Sequence, residues 1–160
     1  MTVEERTREV HPLTLFAPEG ARLLMLGSFP PPRERWRMDF FYPNFQNDMW
    51  RIFGLVFFAD KSHFLTDDGR AFREAELRRF LTERGIAIWD TAMEVSRLQG
   101  NASDKFLEVL RPIDLRQTLA MLPSCRAIAV TGQKALDTLL TLVSAPSPPP
   151  KTGEWTDAAL

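Results

Sequence analysis

Three short apolar runs, each closed by a glycine or an acidic residue, constrain this chain most. They are Arg22-Leu-Leu-Met-Leu26 before Gly27, Ile86-Ala-Ile-Trp89 before Asp90, and Arg126-Ala-Ile-Ala-Val-Thr131 before Gly132. None alternates apolar with polar residues, so each reads as a strand covered on both faces. Strands separated by helical patterns imply a parallel sheet with helices on both sides. In such sheets a ligand sits beyond the carboxyl ends of the strands. Here those ends are Gly27-Ser28-Phe29, Asp90-Thr91 and Thr131-Gly132.

The stretches between supply the covering elements. Residues 28–45 are rich in proline, carry no helical period and read as a long loop. Asn44 to Phe58 reads as a helix, capped by Asn44 or Asn47, with Met49, Phe53 and Phe57 on one face. Thr66-Asp-Asp-Gly69 is a helix-start signal for a helix to about Arg84, with Phe72, Ala75 and Phe80 inward and Gly85 ending it. Residues 91–104 read as irregular, Lys105 to Leu110 as a short helix, and Pro112 to Leu122 as another. Gln133 to Val143 is a strongly periodic helix, and Ala145 to Pro150 a stiff, extended linker. The last ten residues resemble the beginning of a further strand.

At 160 residues the chain has room for one domain, taken as 1–160. A net charge of -1 argues against binding to nucleic acid or membrane by bulk charge alone, though a local basic patch stays possible. One cysteine excludes an internal disulfide and a Cys-based metal site. No apolar run approaches a membrane span, and the charged start is no signal peptide. A cytoplasmic monomer without metal or cofactor is the expectation.

Several residues could carry chemistry. Gly27 and Ser28 could offer backbone N–H groups to an oxyanion or a carbonyl, or simply form a tight turn. Phe40 to Trp50 is dense in aromatic rings, which could stack a planar base or form a local core. Asn47 could hold a water or read a base edge with its amide, or cap a helix. Asp90 follows a buried strand, where a carboxylate is costly unless paired or functional; its plain role would be a cap or a partner for Arg97. Gly100-Asn101 could form a second base-edge loop or open a helix. Arg33, Arg35 and Arg37 could meet phosphates or form a solvated face, and Lys134 is equally open. His11 and His63 stand isolated, without metal-ligand spacing.

Taken in order, Leu26-Gly-Ser-Phe-Pro30, Phe40-Phe-Tyr42, Gln46-Asn-Asp-Met-Trp50, Gly85-Ile-Ala-Ile-Trp-Asp90 and Thr131-Gly-Gln-Lys-Ala135 resemble the uracil-DNA glycosylase superfamily. They are most similar to its hypoxanthine-DNA glycosylase-like branch. The resemblance spans about residues 22 to 155. It implies three layers with a central parallel four-stranded sheet flanked by helices. It also implies cleavage of the N-glycosidic bond of a deaminated base, uracil or hypoxanthine, flipped out of DNA. Carried over by position, Asn47 and Asp90 would be catalytic. Gly27, Ser28, Phe29, Tyr42 and Asn101 would surround the base, with Tyr42 stacking on it. Arg33, Arg35 and Lys134 would meet the DNA backbone. Several positions depart from the pattern. Phe29 and prolines stand where other branches place a catalytic Asp, Asn or Glu. Phe41 replaces a tyrosine, Met49 a phenylalanine and Thr131 an asparagine. Ser147-Pro148 lies too early to be the family's final DNA-inserting loop, so the chain is expected to lack that strand and loop. The alternatives are a non-catalytic nucleotide- or nucleic-acid-binding module on the same fold, and a hydrolase of small nucleosides.

Overall fold

The structure, a computed structural model, describes residues 7–97 and 107–160. Its elements are β1 (Thr7–Val10), β2 (Leu23–Gly27), α1 (Met49–Phe58), α2 (Glu74–Arg84), β3 (Ile86–Asp90) and β4 (Ala92–Arg97). They continue with β5 (Leu107–Pro112), α3 (Leu115–Ala120), β6 (Ala127–Val130) and α4 (Gln133–Leu140).

The three apolar runs form one parallel sheet in the order β3-β2-β6. Its register pairs Leu23 with Ile86 and with Ala127, so the strand ends fall level and Gly27 lies directly beside Asp90. Successive side chains of a strand point to opposite faces, and the two cores follow that rule. Met25, Ile86 and Ile88 join Phe40, Trp50, Phe64, Leu77, Phe80 and Leu81 on one face. Leu24, Leu26 and Ala87 join Ile113, Leu115, Leu122 and Leu139 on the other. Helices α1 and α2 with the aromatic loop thus cover one side, and α3 and α4 the other. The three-layer expectation holds.

The four-stranded expectation does not. The parallel sheet has three strands among the described residues. The edge of β3 is met instead by an antiparallel bridge between Phe16 and Ile88. The last ten residues contribute no strand of the sheet, only a bridge from Ala159 back to Ser144.

A second sheet, β1-β4-β5, is antiparallel. Residues 92–97 therefore form a strand rather than an irregular stretch, and 107–112 a strand rather than a helix. Leu107 and Val109 explain the latter: at period two they pack on Phe29, Ala92 and Val95. Pro112 closes that strand, and the next helix starts at Leu115 with Asp114 Oδ1 accepting from the Gln117 amide. Residues 66–71 likewise form a turn rather than a helix. The Thr66 hydroxyl donates to Asp68 Oδ1, which also accepts from the Arg70 amide, and Leu65 pairs with Phe72 across the turn. Helix α2 begins later, at Glu74, and buries Leu77, Phe80 and Leu81 while Ala75 faces solvent. It ends where expected, with Gly85 at φ 72°. On α1 the buried residues are Trp50 and Gly54; Phe57 is 40% exposed. No helix among the described residues is long and apolar enough to cross a membrane.

The antiparallel sheet carries a pH-dependent contact. Buried Glu94 accepts hydrogen bonds from Arg8 Nε and Arg111 Nε. The Arg8 guanidinium, acting first by its hydrogen bond, holds the Glu94 carboxyl below its ordinary value of 4.5. A carboxyl lowered in the folded state stabilises that state above its unfolded value, and the contribution is lost as pH falls through the folded one. Thermal unfolding between pH 6 and about pH 3 is expected to show a falling midpoint with a shallower slope in Glu94→Gln. An identical slope in both proteins would remove Glu94 from the acid response.

Candidate active site at the strand ends

Beyond the level ends of β2, β3 and β6 lies a cavity of about 360 Å³. It is lined by Gly27 to Pro31, Phe41 to Asn44, Asn47, Met49, Asp90, Thr131 and Gly132. The size falls within the ordinary range of small-ligand sites.

Asp90 occupies the end of β3 and is buried. Its partner is not Arg97, whose guanidinium instead reaches Glu9 and the Pro30 carbonyl. Asp90 Oδ2 lies 2.7 Å from His11 Nε2. His11 arrives there because β1 runs antiparallel to β4, pairing Val10 with Glu94, and the pairing continues with the His11 amide donating to Met93 O. In the sequence His11 stands isolated, with no sign of this role. Nothing in its spacing marks it, since the contact spans 79 residues and depends on a sheet pairing absent from the expected topology.

Gly27 is the hub of the site. A side-chain carbon built there would stand 2.6 Å from Asp90 Oδ1, 3.2 Å from the Tyr42 hydroxyl and 3.5 Å from Thr131 Oγ1. Three polar atoms from three separate segments thus converge on space that only a glycine leaves open. Gly27→Ala must displace Asp90, a short buried side chain already tied to His11. Such overpacking costs roughly 1–3 kcal/mol. Urea unfolding of Gly27→Ala is expected to show that loss, and unchanged stability would mean Asp90 has room the geometry denies it.

Ser28 and Phe29 are buried. The Ser28 carbonyl accepts from the Ala92 amide, and the Gly27 carbonyl accepts from both the amide and the hydroxyl of Thr91. Thr91, fully buried, is the single residue between β3 and β4, and it fastens the loop after β2 to the seam between the sheets. Phe29 packs beneath that loop with Ala92, Val95 and Leu107, and Arg97 lies over its ring at 5.5 Å.

Tyr42 has φ 50°, in the left-handed region that non-glycine residues seldom adopt. Buried Phe41 and Pro43 on either side hold it there. Its hydroxyl lies 2.6 Å from Thr131 Oγ1, which itself donates to the Leu26 carbonyl at 3.3 Å. With the threonine proton used on Leu26, the tyrosine is the donor. The ring meets Trp50 edge-on at 5.7 Å.

Asn47 is half-buried and lines the cavity. Its Oδ1 accepts the Met49 amide at 2.8 Å, so the capping geometry is present even though Asp48 precedes the helix. That contact leaves the NH2 group of Asn47 to face a ligand as a donor. The cavity therefore presents an acceptor from β3 and the Asn47 amide as a donor from the aromatic loop.

Arg33, Arg35 and Lys134 are not among the residues lining the cavity. Arg33 pairs with Asp39 at 2.8 Å and lies over the Trp36 ring. Arg35 is exposed, and Lys134 is half-buried in the first turn of α4. Asn101 lies outside the described residues. No group of three or more His, Cys, Asp or Glu that could hold a metal ion occurs among the described residues.

No protein-family model matches this chain, and no curated protein matches it. The chain is similar to a solved structure, the solution structure of a "putative uracil DNA glycosylase" from Methanosarcina acetivorans. The two share 24% identity with a TM-score of 0.58, over 80% of this chain and 74% of that one. At that level the likeness establishes a shared fold.

Proposed function

We propose that this chain is a DNA glycosylase of the uracil-DNA glycosylase superfamily, of the hypoxanthine-DNA glycosylase-like branch. Its substrate would be a deaminated base in DNA, uracil or hypoxanthine, and its role base excision repair. The observation that carries this reading is the convergence of Gly27, Tyr42, Asn47, Asp90 and Thr131 on one cavity. The shared fold with a protein named as a glycosylase supports it.

The reaction needs no nucleophilic side chain. The N-glycosidic bond breaks as its electron pair leaves with the base, and the sugar takes oxocarbenium character. Water then adds to the sugar carbon and a proton ends on the base. Donors near the base stabilise its developing charge, the role suited to the Asn47 amide and the backbone after β2. Asp90 Oδ1 is suited to holding an N–H of the base or the attacking water. Tyr42 would stack on the flipped base. Arg33, Arg35 and Lys134 would engage phosphates.

A binding module on the same fold is the second reading. The bond from the Met49 amide to Asn47 Oδ1 favours it, because that oxygen is then less free to orient water. End-labelled oligonucleotides with one uracil, hypoxanthine or xanthine, treated with alkali after incubation, separate the two. Strand cleavage at the modified base is the expected result. Tight binding of those oligonucleotides by folded protein, without cleavage, would overturn the glycosylase reading and leave the binding module.

A further inference from the structure

The imidazole of His11 is 3% exposed and the side chain of Asp90 8%. His11 Nδ1 accepts the Leu13 amide at 3.1 Å. A ring nitrogen that accepts carries no proton, so the ring proton sits on Nε2, facing Asp90 Oδ2 at 2.7 Å. Three rings fix the imidazole plane: Trp89 at 4.5 Å, Phe29 edge-on at 5.2 Å and Phe41 at 6.2 Å. Turning it over would break both hydrogen bonds and displace those rings. With Oδ2 committed to His11, Oδ1 is the oxygen left standing over Gly27 at the cavity.

We propose that His11 is a positioning residue, which holds Asp90 by Oδ2 so that Oδ1 meets an N–H of the bound base above Gly27. The inference rests on the functional reading above and narrows its ligand. The base must carry a proton on a ring nitrogen beside a carbonyl, as uracil and hypoxanthine do, and a methyl group on that nitrogen must abolish the fit.

The test compares wild type with His11→Leu and His11→Gln. Leucine fills the space without a donor, whereas glutamine places an amide N–H near the position of Nε2. Misaiming a reacting group by about 1 Å costs about 10²-fold in rate. His11→Leu is therefore expected to lose about 10²-fold in single-turnover cleavage, with the DNA concentration for half-maximal rate little changed. His11→Gln should recover most of that loss. Equal rates in Leu and Gln variants that unfold at similar temperatures would reduce His11 to packing and overturn the proposal.

A second measurement does not depend on turnover. Long-range ¹H–¹⁵N spectra of the histidine side chains are expected to show His11 protonated at Nε2. Its signals should shift on adding free uracil but not N3-methyluracil. A proton on Nδ1, or equal responses to the two bases, would overturn the proposal. A uracil-specific response without any DNA cleavage would refute the glycosylase reading and leave the positioning role standing. Cleavage indifferent to His11 would do the reverse.

Discussion

Under the proposed glycosylase activity, Asp90→Asn is expected to lower single-turnover cleavage of uracil- or hypoxanthine-containing DNA by about 10³-fold, because the pocket loses the hydrogen bond it is built to make and sets one donor against another. The change is nearly isosteric. An asparagine oxygen can still accept from His11 Nε2, so the buried pair and the register of β3 beside β2 survive. What inverts is the other end of the side chain. An NH2 group would stand over Gly27 where a carboxylate oxygen stands now, offering a donor to a base that also offers a donor. The unfolding midpoint should therefore move little while activity collapses. A stable Asp90→Asn protein that cleaves within a few-fold of wild type would remove Asp90 from the chemistry.

The largest effect on stability is expected from Trp50→Ala. Trp50 is fully buried, donates Nε1–H to the Phe41 carbonyl at 3.0 Å, and touches Phe40, Tyr42 and Phe53. Truncation leaves a cavity and an unpaired buried carbonyl together. Aromatic-to-alanine changes in cores cost about 4 kcal/mol, and in a chain of this size that lowers the melting midpoint by about 10 °C. The damage also reaches the site, because Trp50 braces the ring of Tyr42 and the backbone just before it. Activity measured well below the midpoint should fall as well. Trp50→Phe, which keeps most of the volume but not the donor, should lie between the two. If Trp50→Ala melts within a few degrees of wild type, the aromatic layer repacks more freely than its ring geometry implies.

The parallel sheet was readable because strands buried on both faces leave a distinctive mark, an unbroken apolar run ending in a turn residue. Gly27, Asp90 and Thr131 were legible as strand ends for the same reason. The antiparallel sheet left no such mark. In β4 the buried positions include Glu94, Ser96 and Arg97, residues that read as a polar loop. Partners far away in sequence meet two of them, Arg8 at Glu94, and Glu9 and Pro30 at Arg97, while Ser96 Oγ and Arg97 Nη1 stay buried without a hydrogen-bond partner among the described residues. A one-dimensional pattern does not show such pairings. Thr66 to Gly69 misled for a related reason, since the residues that cap helices also close tight turns. His11 was invisible because its role depends on β1, and β1 depends on β4.

The long separations of these contacts bear on when the cavity can exist during synthesis. The His11–Asp90 contact spans 79 residues and the Tyr42–Thr131 contact 89. A ribosome releases His11 and Tyr42 well before their partners leave the exit tunnel. A nascent chain that has reached only α3 holds Asp90 and its histidine but lacks Thr131 and Gly132, one wall of the pocket. Contacts closing such long loops form late and slowly compared with local ones. Any binding at this cavity should therefore switch on in a single step, when β6 docks against β2.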